Sequence, residues 1–160
     1  EPIKVKGVTV RAGPNPQKDP KNDFLSWKPT AWARDDVYQM AGVTNPRAQI
    51  GIAQVHDCFS LTELLTYEDL GFCEKGSAKD HIASGDFELT GSLPVNTDGG
   101  LKTFGHPTGA TGVRMIYENV MQLRGKAGAR QVRGGAGKLA VSHNIGGHPT
   151  ACGIAVIGRD

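Results

Sequence analysis

The chain has 160 residues and a formal net charge of +2, which is too small to predict nucleic-acid binding. With 38% hydrophobic and 21% charged residues, its composition is that of one globular domain and excludes the disordered and fibrous classes. No stretch approaches the roughly 18 apolar residues of a transmembrane helix. The N-terminus lacks an apolar signal region, and the cysteines show no Cys-x-x-Cys spacing. We therefore expect a soluble cytoplasmic protein that binds neither nucleic acid nor a membrane.

The first third of the chain predicts a strand, a long loop and a helix. Residues 2–10 alternate imperfectly between apolar and polar side chains, which favours a strand. Residues 13–29 contain four prolines, which neither a helix nor a central strand accommodates, so we predict a long surface loop there. Thr30 is placed to cap a helix that ends at Gly42.

The middle of the chain alternates between strand and helix patterns. The nearly all-apolar run 49–55 predicts a strand that is buried on both faces. Ser60 and Glu63 have the spacing of a capping box and predict the start of a helix that ends at Gly71. A short helix is predicted over residues 79–83.

The last third of the chain predicts three strands and one helix. Residues 93–97 predict an edge strand, because Pro94 fits only the edge or the end of a sheet. A helix is predicted over about residues 110–123, and residues 138–142 and 152–157 predict the last two strands. The helix carries an apolar stripe at helical spacing. The stripe consists of Val113, Ile116, Val120 and Leu123.

The order of these elements predicts a layered α/β domain with a mainly parallel sheet of five strands, covered by helices. Three polar clusters follow or separate the buried elements. They are residues 56–58, 105–109 and 142–147. Because ligands bind at the carboxyl ends of strands in open α/β sheets, we expect the three clusters to converge on one crevice.

His106 is the strongest candidate for chemistry in these clusters. It precedes a helix, whose positive dipole end disfavours the protonated imidazole and leaves the ring able to accept a proton. Gly105 and Gly109 on either side let a substrate approach closely. The alternative is a histidine in a tight turn that bonds its own backbone.

Cys58 and His56 are two residues apart, so both side chains face one side of an extended segment. A thiol in this position could move a proton. The alternative is a buried structural cysteine beside a histidine whose hydrogen bonds are satisfied. No metal is expected, because no pair of candidate ligand residues has the spacing of a recurrent zinc motif.

Three blocks of sequence resemble the C-terminal domain of the thiolase superfamily, and within it the sterol-carrier-protein-type thiolases and acetyl-CoA acetyltransferases. The blocks are residues 56–59 (His-Asp-Cys-Phe), 96–112 (ending in Gly-His-Pro-Thr-Gly-Ala-Thr-Gly) and 143–147 (His-Asn-Ile-Gly-Gly). Their order and spacing cover about residues 50–157. The resemblance implies that residues 1–160 form a thiolase C-terminal domain with a five-stranded, mixed and mostly parallel sheet in an α/β/α arrangement.

The resemblance also implies roles for individual residues. His106 resembles the base that activates the nucleophilic cysteine, and Cys58 resembles a second cysteine that moves a proton at the α-carbon of the substrate. His56 stands where other thiolases have an asparagine that helps to hold a thioester oxygen. Gly146 resembles the glycine whose backbone N–H contributes to the other oxyanion hole.

Two features depart from the family pattern. Asn144 occupies a position where many thiolases have a cysteine, so the proton-shuttle role falls on Cys58. We expect Asn144, together with Gly105 and Gly109, to contact the substrate.

The nucleophilic cysteine belongs to the N-terminal half of the family's enzymes and has no counterpart in this chain. We therefore expect no thiolase turnover from the chain in isolation.

The implied activity is the cleavage of 3-oxoacyl-CoA by coenzyme A, or the reverse Claisen condensation. Coenzyme A is then a substrate, and no cofactor is bound permanently. The implied partners are acyl-CoA and 3-oxoacyl-CoA, the N-terminal half of the same enzyme and further copies in a homo-oligomer.

One alternative is an acyl-CoA aldolase that acts with an OB-fold partner protein and is expected to have tyrosines at the proton-transfer positions. Another is a non-catalytic assembly or lipid-binding module.

Overall fold

The computed structural model describes residues 2–133, 139–147 and 149–159. No helix in these ranges combines the length and the apolarity that a membrane crossing requires. The helices and strands, in chain order, are β1 (Lys4–Ala12), α1 (Lys28–Ala41), α2 (Pro46–Gln49), β2 (Ile50–Gln54), α3 (Ser60–Asp69), α4 (Ala78–Ala83), α5 (Gly100–Phe104), α6 (Thr111–Leu123), a 3-10 turn (Gly128–Arg130), β3 (Leu139–Gly146) and β4 (Ala151–Gly158).

The described strands form one mixed sheet in the order β1-β4-β3-β2. β2 and β3 run parallel, with Gln54 opposite Ser142, whereas β4 is antiparallel to both of its neighbours. The prediction of five strands, mostly parallel, was therefore wrong for the described part of the chain. The predicted start of the strand at residues 138–142, which corresponds to β3, lies outside the described residues.

The missing fifth strand is the predicted edge strand at residues 93–97, which makes only an isolated parallel bridge to β2. The carbonyl of Pro94 accepts a hydrogen bond from the N–H of Ala53 at 3.1 Å, but Pro94 has no N–H with which to extend the ladder. Asn96 then adopts a positive φ of 50°, which turns the chain out of the extended conformation. Its side-chain oxygen accepts the N–H of Val55 at 2.9 Å in place of a backbone partner.

Helices cover both faces of the sheet, as the layered α/β/α prediction requires. α1 and α3 pack on one face over the larger apolar core, and α6 packs on the other face over a smaller one. The larger core includes Val37, Tyr38, Ile50, Val55, Leu70, Phe72, Val141 and Ile154. The smaller core consists of Ile52, Leu123, Val132, Ala140 and Ile157.

The helix starts differ from the two caps predicted from the sequence. α1 begins at Lys28, inside the predicted loop, with Trp27 as its N-cap residue. Thr30 is therefore in the first turn, where it is fully buried and uses its hydroxyl for a tertiary hydrogen bond. Ser60 is the first residue of α3 and makes no capping hydrogen bond, and Glu63 instead binds the side chains of Asn96 and Lys102. In both cases a tertiary contact replaces the local one.

α6 turns much of its predicted apolar stripe to the outside of this chain. Val113 is 69% exposed and Ile116 is 39% exposed, as is the adjacent Tyr117 at 61%, whereas Leu123 is buried. The side of α6 against the sheet buries polar residues in their place. Asn119 donates hydrogen bonds at 2.8 and 2.9 Å to a backbone carbonyl and a hydroxyl of β3.

Candidate active site

The three polar clusters meet at one edge of the sheet. β2 and β3 are parallel and end at the same edge, so His56, which follows β2, lies beside Asn144 and Gly146 at the end of β3. The loop before α6 brings His106 and Thr108 to the same place. A cavity of about 400 Å³ lies between these residues and is lined by all five of them. The structure thus brings four of the predicted site residues to one cavity.

Two histidines and an asparagine form the polar wall of this cavity. The rings of His56 and His106 meet edge to face, with centroids 4.9 Å apart and planes at 90°. Nδ1–H of His56 donates to Oδ1 of Asn144 at 2.6 Å, which leaves Nε2 of the neutral ring as an acceptor. Burial lowers the pKa of His56, against the effect of the Asn144 hydrogen bond and with the help of nearby His106. The ring is therefore neutral at pH 7.

The tautomer of His106 is set by the first turn of α6. The hydroxyl of Thr111 donates to the carbonyl of Pro107 at 3.2 Å, so its oxygen accepts the Nδ1–H of His106 at 2.8 Å. With Nδ1–H engaged in this way, Nε2 is the ring nitrogen that presents a lone pair when His106 acts as an acceptor. This arrangement can accept a proton, which is the property a general base needs.

His143 supports the site from the opposite face of β3. It is fully buried, and its Nδ1 accepts the backbone N–H of His56 at 3.5 Å. Its Nε2–H then donates to the hydroxyl of Thr30 in α1 at 3.0 Å. Burial, with a smaller effect from nearby His56, lowers the pKa of His143 to about 3, so this ring is neutral and structural. Its hydrogen bonds connect the segment that carries His56 to the core.

Asp57 fixes the segment that leads to His106. Its buried carboxylate accepts the N–H of Leu101 at 2.8 Å and so caps the first turn of α5. Gly100 has a φ of +63° and lies so close that a Cβ there would be 2.3 Å from an oxygen of Asp57. Only glycine combines this conformation with this approach. The position therefore holds the backbone of α5, and the loop after it, against the end of β2.

Cys58 lies in an adjoining cavity of about 360 Å³, which it lines together with His56. The thiol is exposed, and Sγ is 3.8 Å from the hydroxyl oxygen of Thr62. Cys58 and His56 therefore share one cavity, as expected from their spacing, while His106 lines the other. Gly109 lies in a third groove, between α6 and strands β1 and β4. Gly105 adopts a φ of +75°, and the space that a Cβ would occupy there is open.

The described ranges 2–133, 139–147 and 149–159 contain no group of three or more His, Cys, Asp or Glu side chains that is placed to hold a metal ion. The acidic residues near the site have other partners: Asp57 binds α5, and Asp98 pairs with Arg114.

Residues 16–159 match the family described as "Thiolase C-terminal domain-like". The chain belongs to this family. The resemblance inferred from the sequence is therefore confirmed, and so is the thiolase-like α/β fold.

Three proteins are similar to this thiolase C-terminal domain. It is 39% identical to an acetyl-CoA acetyltransferase of Methanothermobacter thermautotrophicus, over 99% of this chain and 40% of that protein. It is 46% identical to human sterol carrier protein 2 over 68% of this chain and 19% of that protein. The solved structure of the Ltp2-ChsH2(DUF35) aldolase matches 98% of this chain and 39% of that chain, with a TM-score of 0.76 and 27% identity. The chain thus spans less than half of each relative.

The residues of the thiolase domain that sequence reasoning missed are those that hold the site in place. His143 and Thr30 are 113 positions apart and Asp57 and Leu101 are 44 apart, so no local pattern indicates their pairing. One signal was available for His143. Adjacent residues of a strand face opposite sides, so a site at Asn144 places His143 in the core behind it.

The environments of the three cysteines predict one reactive thiol. Cys58 is exposed, whereas burial raises the pKa of Cys73 and raises that of Cys152 to about 12. Since the thiolate is the reacting species, we expect iodoacetamide at pH 7.5 to modify Cys58 first in the folded chain. Peptide mass spectrometry over time measures this order, with a Cys58→Ser variant as the control. Labelling of Cys152 at the rate of Cys58 would contradict the burial described here.

Proposed function

We propose that this chain is the C-terminal catalytic part of a coenzyme-A-dependent thiolase, which cleaves 3-oxoacyl-CoA with coenzyme A or runs the reverse condensation. One observation carries the proposal: His56, His106, Asn144 and Gly146 surround one cavity in a chain of the thiolase family. Coenzyme A is a substrate of this reaction, and no permanently bound cofactor is needed.

His106 is the proposed base. Its Nδ1–H is held by Thr111, so Nε2 accepts the proton of the nucleophilic cysteine thiol, which we assign to the N-terminal half of the enzyme. The thiolate attacks the 3-oxo carbon of the substrate. Negative charge then develops on the carbonyl oxygen, which must be stabilised by hydrogen-bond donors.

His56 and Gly146 are the proposed supports for the oxygen atoms that become charged. Nε2 of His56 is an acceptor, so it can hold a water molecule whose second hydrogen atom points to a thioester oxygen. The backbone N–H of Gly146 is proposed to serve a second oxygen, because this residue is exposed in the same cavity. Asn144 orients the His56 ring and lines the substrate cavity.

Cys58 is the proposed proton donor to carbon. When the bond between C2 and C3 breaks, the electron pair stays on C2 of the departing acetyl-CoA, and the thiol of Cys58 supplies the proton that C2 needs. The thiol of a second coenzyme A then gives its proton to the Cys58 thiolate and takes the acyl group from the nucleophilic cysteine, whose departing thiolate recovers its proton from His106. The position of Cys58 in a cavity that shares His56 with the first one supports this assignment.

The N-terminal half is proposed to cover the exposed apolar surface between α6 and β1, which we call the α6–β1 face. This face includes Val8, Val10, Val113, Ile116 and Tyr117, all of which are exposed. Its groove shares Thr108 and Asn144 with the His106 cavity, so a segment that fills the groove also reaches His106. The nucleophilic cysteine must lie close to His106 in order to give up its proton. Assembly into a homo-oligomer remains a prediction.

The second candidate function is that of an acyl-CoA aldolase with a partner protein. It is favoured by the similarity to the Ltp2-ChsH2(DUF35) aldolase structure over 98% of the chain. Cys58 argues for the thiolase, since the aldolase relatives are expected to have tyrosines at the proton-transfer positions. The aldolase would need no coenzyme A for cleavage.

The test is an assay of the complete gene product with two substrates. A thiolase cleaves acetoacetyl-CoA only when coenzyme A is added, and we expect Cys58→Ala to lower this rate about 10²-fold or more, because proton transfer to carbon loses its donor. Cys73→Ala is the matched control and should leave the rate unchanged. Cleavage of a 3-hydroxyacyl-CoA without coenzyme A, and no reaction with acetoacetyl-CoA, would establish the aldolase instead.

A further inference from the structure

The cavity that holds Cys58 has an apolar part that the proposed reaction does not use. Its volume of about 360 Å³ lies within the roughly 300–1,000 Å³ of small-molecule sites. Its polar end consists of His56, Cys58 and Thr62. Its other walls are largely aromatic or proline side chains. They include Pro16, Phe24, Trp27, Phe59 and Pro149.

The proline-rich loop supplies half of these apolar walls and is anchored where it does so. The buried carboxylate of Asp69 accepts hydrogen bonds from the hydroxyl of Ser26 and from the N–H of Trp27, both at 2.7 Å. Lys75 forms an ion pair with Asp69 at 2.5 Å and also donates to the carbonyl of Leu25 at 3.2 Å. The loop is thus held against the end of α3, with Trp27 at a fixed position in the cavity wall.

Phe24 is held in a rare backbone conformation in the same loop. Its φ is +59°, in the left-handed region, which an aromatic residue rarely enters. Its side chain is 51% exposed although it lines the cavity. An exposed aromatic ring on a cavity wall is removed from water when an apolar ligand covers it, which favours binding of that ligand.

We propose that this cavity binds the apolar tail of an acyl group longer than acetyl, with Phe24 and Trp27 as the residues that determine chain-length preference. The inference rests on the proposed function, because the reacting end of the ligand is placed at Cys58 and His56. Acetyl groups fill little of 360 Å³. A long acyl chain moves out of water and packs against the aromatic walls. Each methylene that is buried in this way raises the affinity about fourfold (~0.8 kcal/mol).

The test compares two substrates of the complete gene product, acetoacetyl-CoA and 3-oxodecanoyl-CoA. The wild type is expected to have a kcat/KM at least about tenfold higher for the longer substrate, since several methylenes are buried. Phe24→Ala and Trp27→Ala should each lower kcat/KM for 3-oxodecanoyl-CoA about tenfold and leave acetoacetyl-CoA unchanged. Leu25→Ala is the matched control, because Leu25 is in the same loop and 63% exposed. It should change neither value.

Binding by calorimetry separates the failure of this inference from the failure of the proposed function. The complete gene product should bind decanoyl-CoA more tightly than acetyl-CoA, and both loop variants should lose the difference. If neither 3-oxoacyl-CoA is cleaved but this binding pattern holds, the proposed function is wrong and the acyl subsite stands. If acetoacetyl-CoA is cleaved while Phe24→Ala and Trp27→Ala leave the preference and the binding unchanged, the subsite is wrong and the function stands. Equal binding of both ligands by the wild type also overturns the subsite.

Discussion

Replacement of His106 by alanine in the complete gene product is expected to lower kcat for acetoacetyl-CoA cleavage by about 10²–10⁴-fold, the range that one positioned general base contributes. The reason is the orientation of the ring. Nδ1–H is engaged by Thr111 at 2.8 Å, and the free Nε2 is in a cavity with Gly146 and Asn144. Without this nitrogen the nucleophilic thiol has no partner to take its proton.

Two further variants show whether the effect belongs to the base. His81→Ala removes a histidine whose partner is Asp86, outside the cavity, and should leave kcat unchanged. Thr111→Val removes the hydroxyl that orients His106 and should give a smaller loss than His106→Ala, because the ring remains. Steady-state rates at saturating substrate measure all three. Full activity of His106→Ala would show that the base is elsewhere.

Acidification is expected to destabilise the folded chain through His143. The folded state holds this ring neutral with a pKa of about 3, whereas the unfolded chain binds the proton below about pH 6.5. The contribution is therefore fully present above pH 6.5 and is lost as the pH falls toward 3. Between pH 7 and pH 4 the free energy of unfolding should drop by about 3 kcal/mol from this residue, at ~1.4 kcal/mol per pH unit.

Urea unfolding of the 160-residue chain at several pH values measures this loss, and His143→Gln isolates it. The variant starts at a lower stability, because a buried hydrogen-bonded ring is replaced, but its stability should fall less steeply between pH 6.5 and 4. Carboxyl groups titrate in both proteins, so the difference in slope is the readout. Parallel slopes for His143→Gln and wild type would refute the role of the buried ring.

Much of the fold could be predicted from local pattern. The run 49–55 is a strand buried on both faces, and the helix from about residue 110 is α6. The predicted loop is present up to Trp27, while its last proline, Pro29, lies in the first turn of α1. These features follow from hydrophobic periodicity and from the conformational limits of proline, which act within a few residues. The predicted strand at residues 93–97 does not form. Pro94 has no N–H to donate to the ladder, and the side-chain oxygen of Asn96 takes the place of a backbone acceptor for Val55.

The position of the site could also be predicted, but its internal contacts could not. Two parallel strands must end at the same sheet edge, so His56 and Asn144 were expected near each other before any distance was known. The edge-to-face contact of His56 with His106 and the Thr111 hydrogen bond depend on how α6 docks. The catalytic assignments of His106, Cys58, His56 and Gly146 remain predictions.

The sequence by itself determined the family, the layered α/β class and the identity of the residues around the cavity, because short motifs and periodicity are properties of neighbouring residues. Only the tertiary structure decided that His143 and Thr30 hold His56 from behind, that Asp57 caps α5, and that Asp69 places Trp27 in the second cavity. These contacts join residues more than 40 positions apart, and the buried groups obtain their hydrogen-bond partners only when the sheet and helices are packed. The apolar stripe of α6 predicts an amphipathic helix from the sequence alone. Which face of that helix the rest of the chain covers is decided only by the tertiary structure.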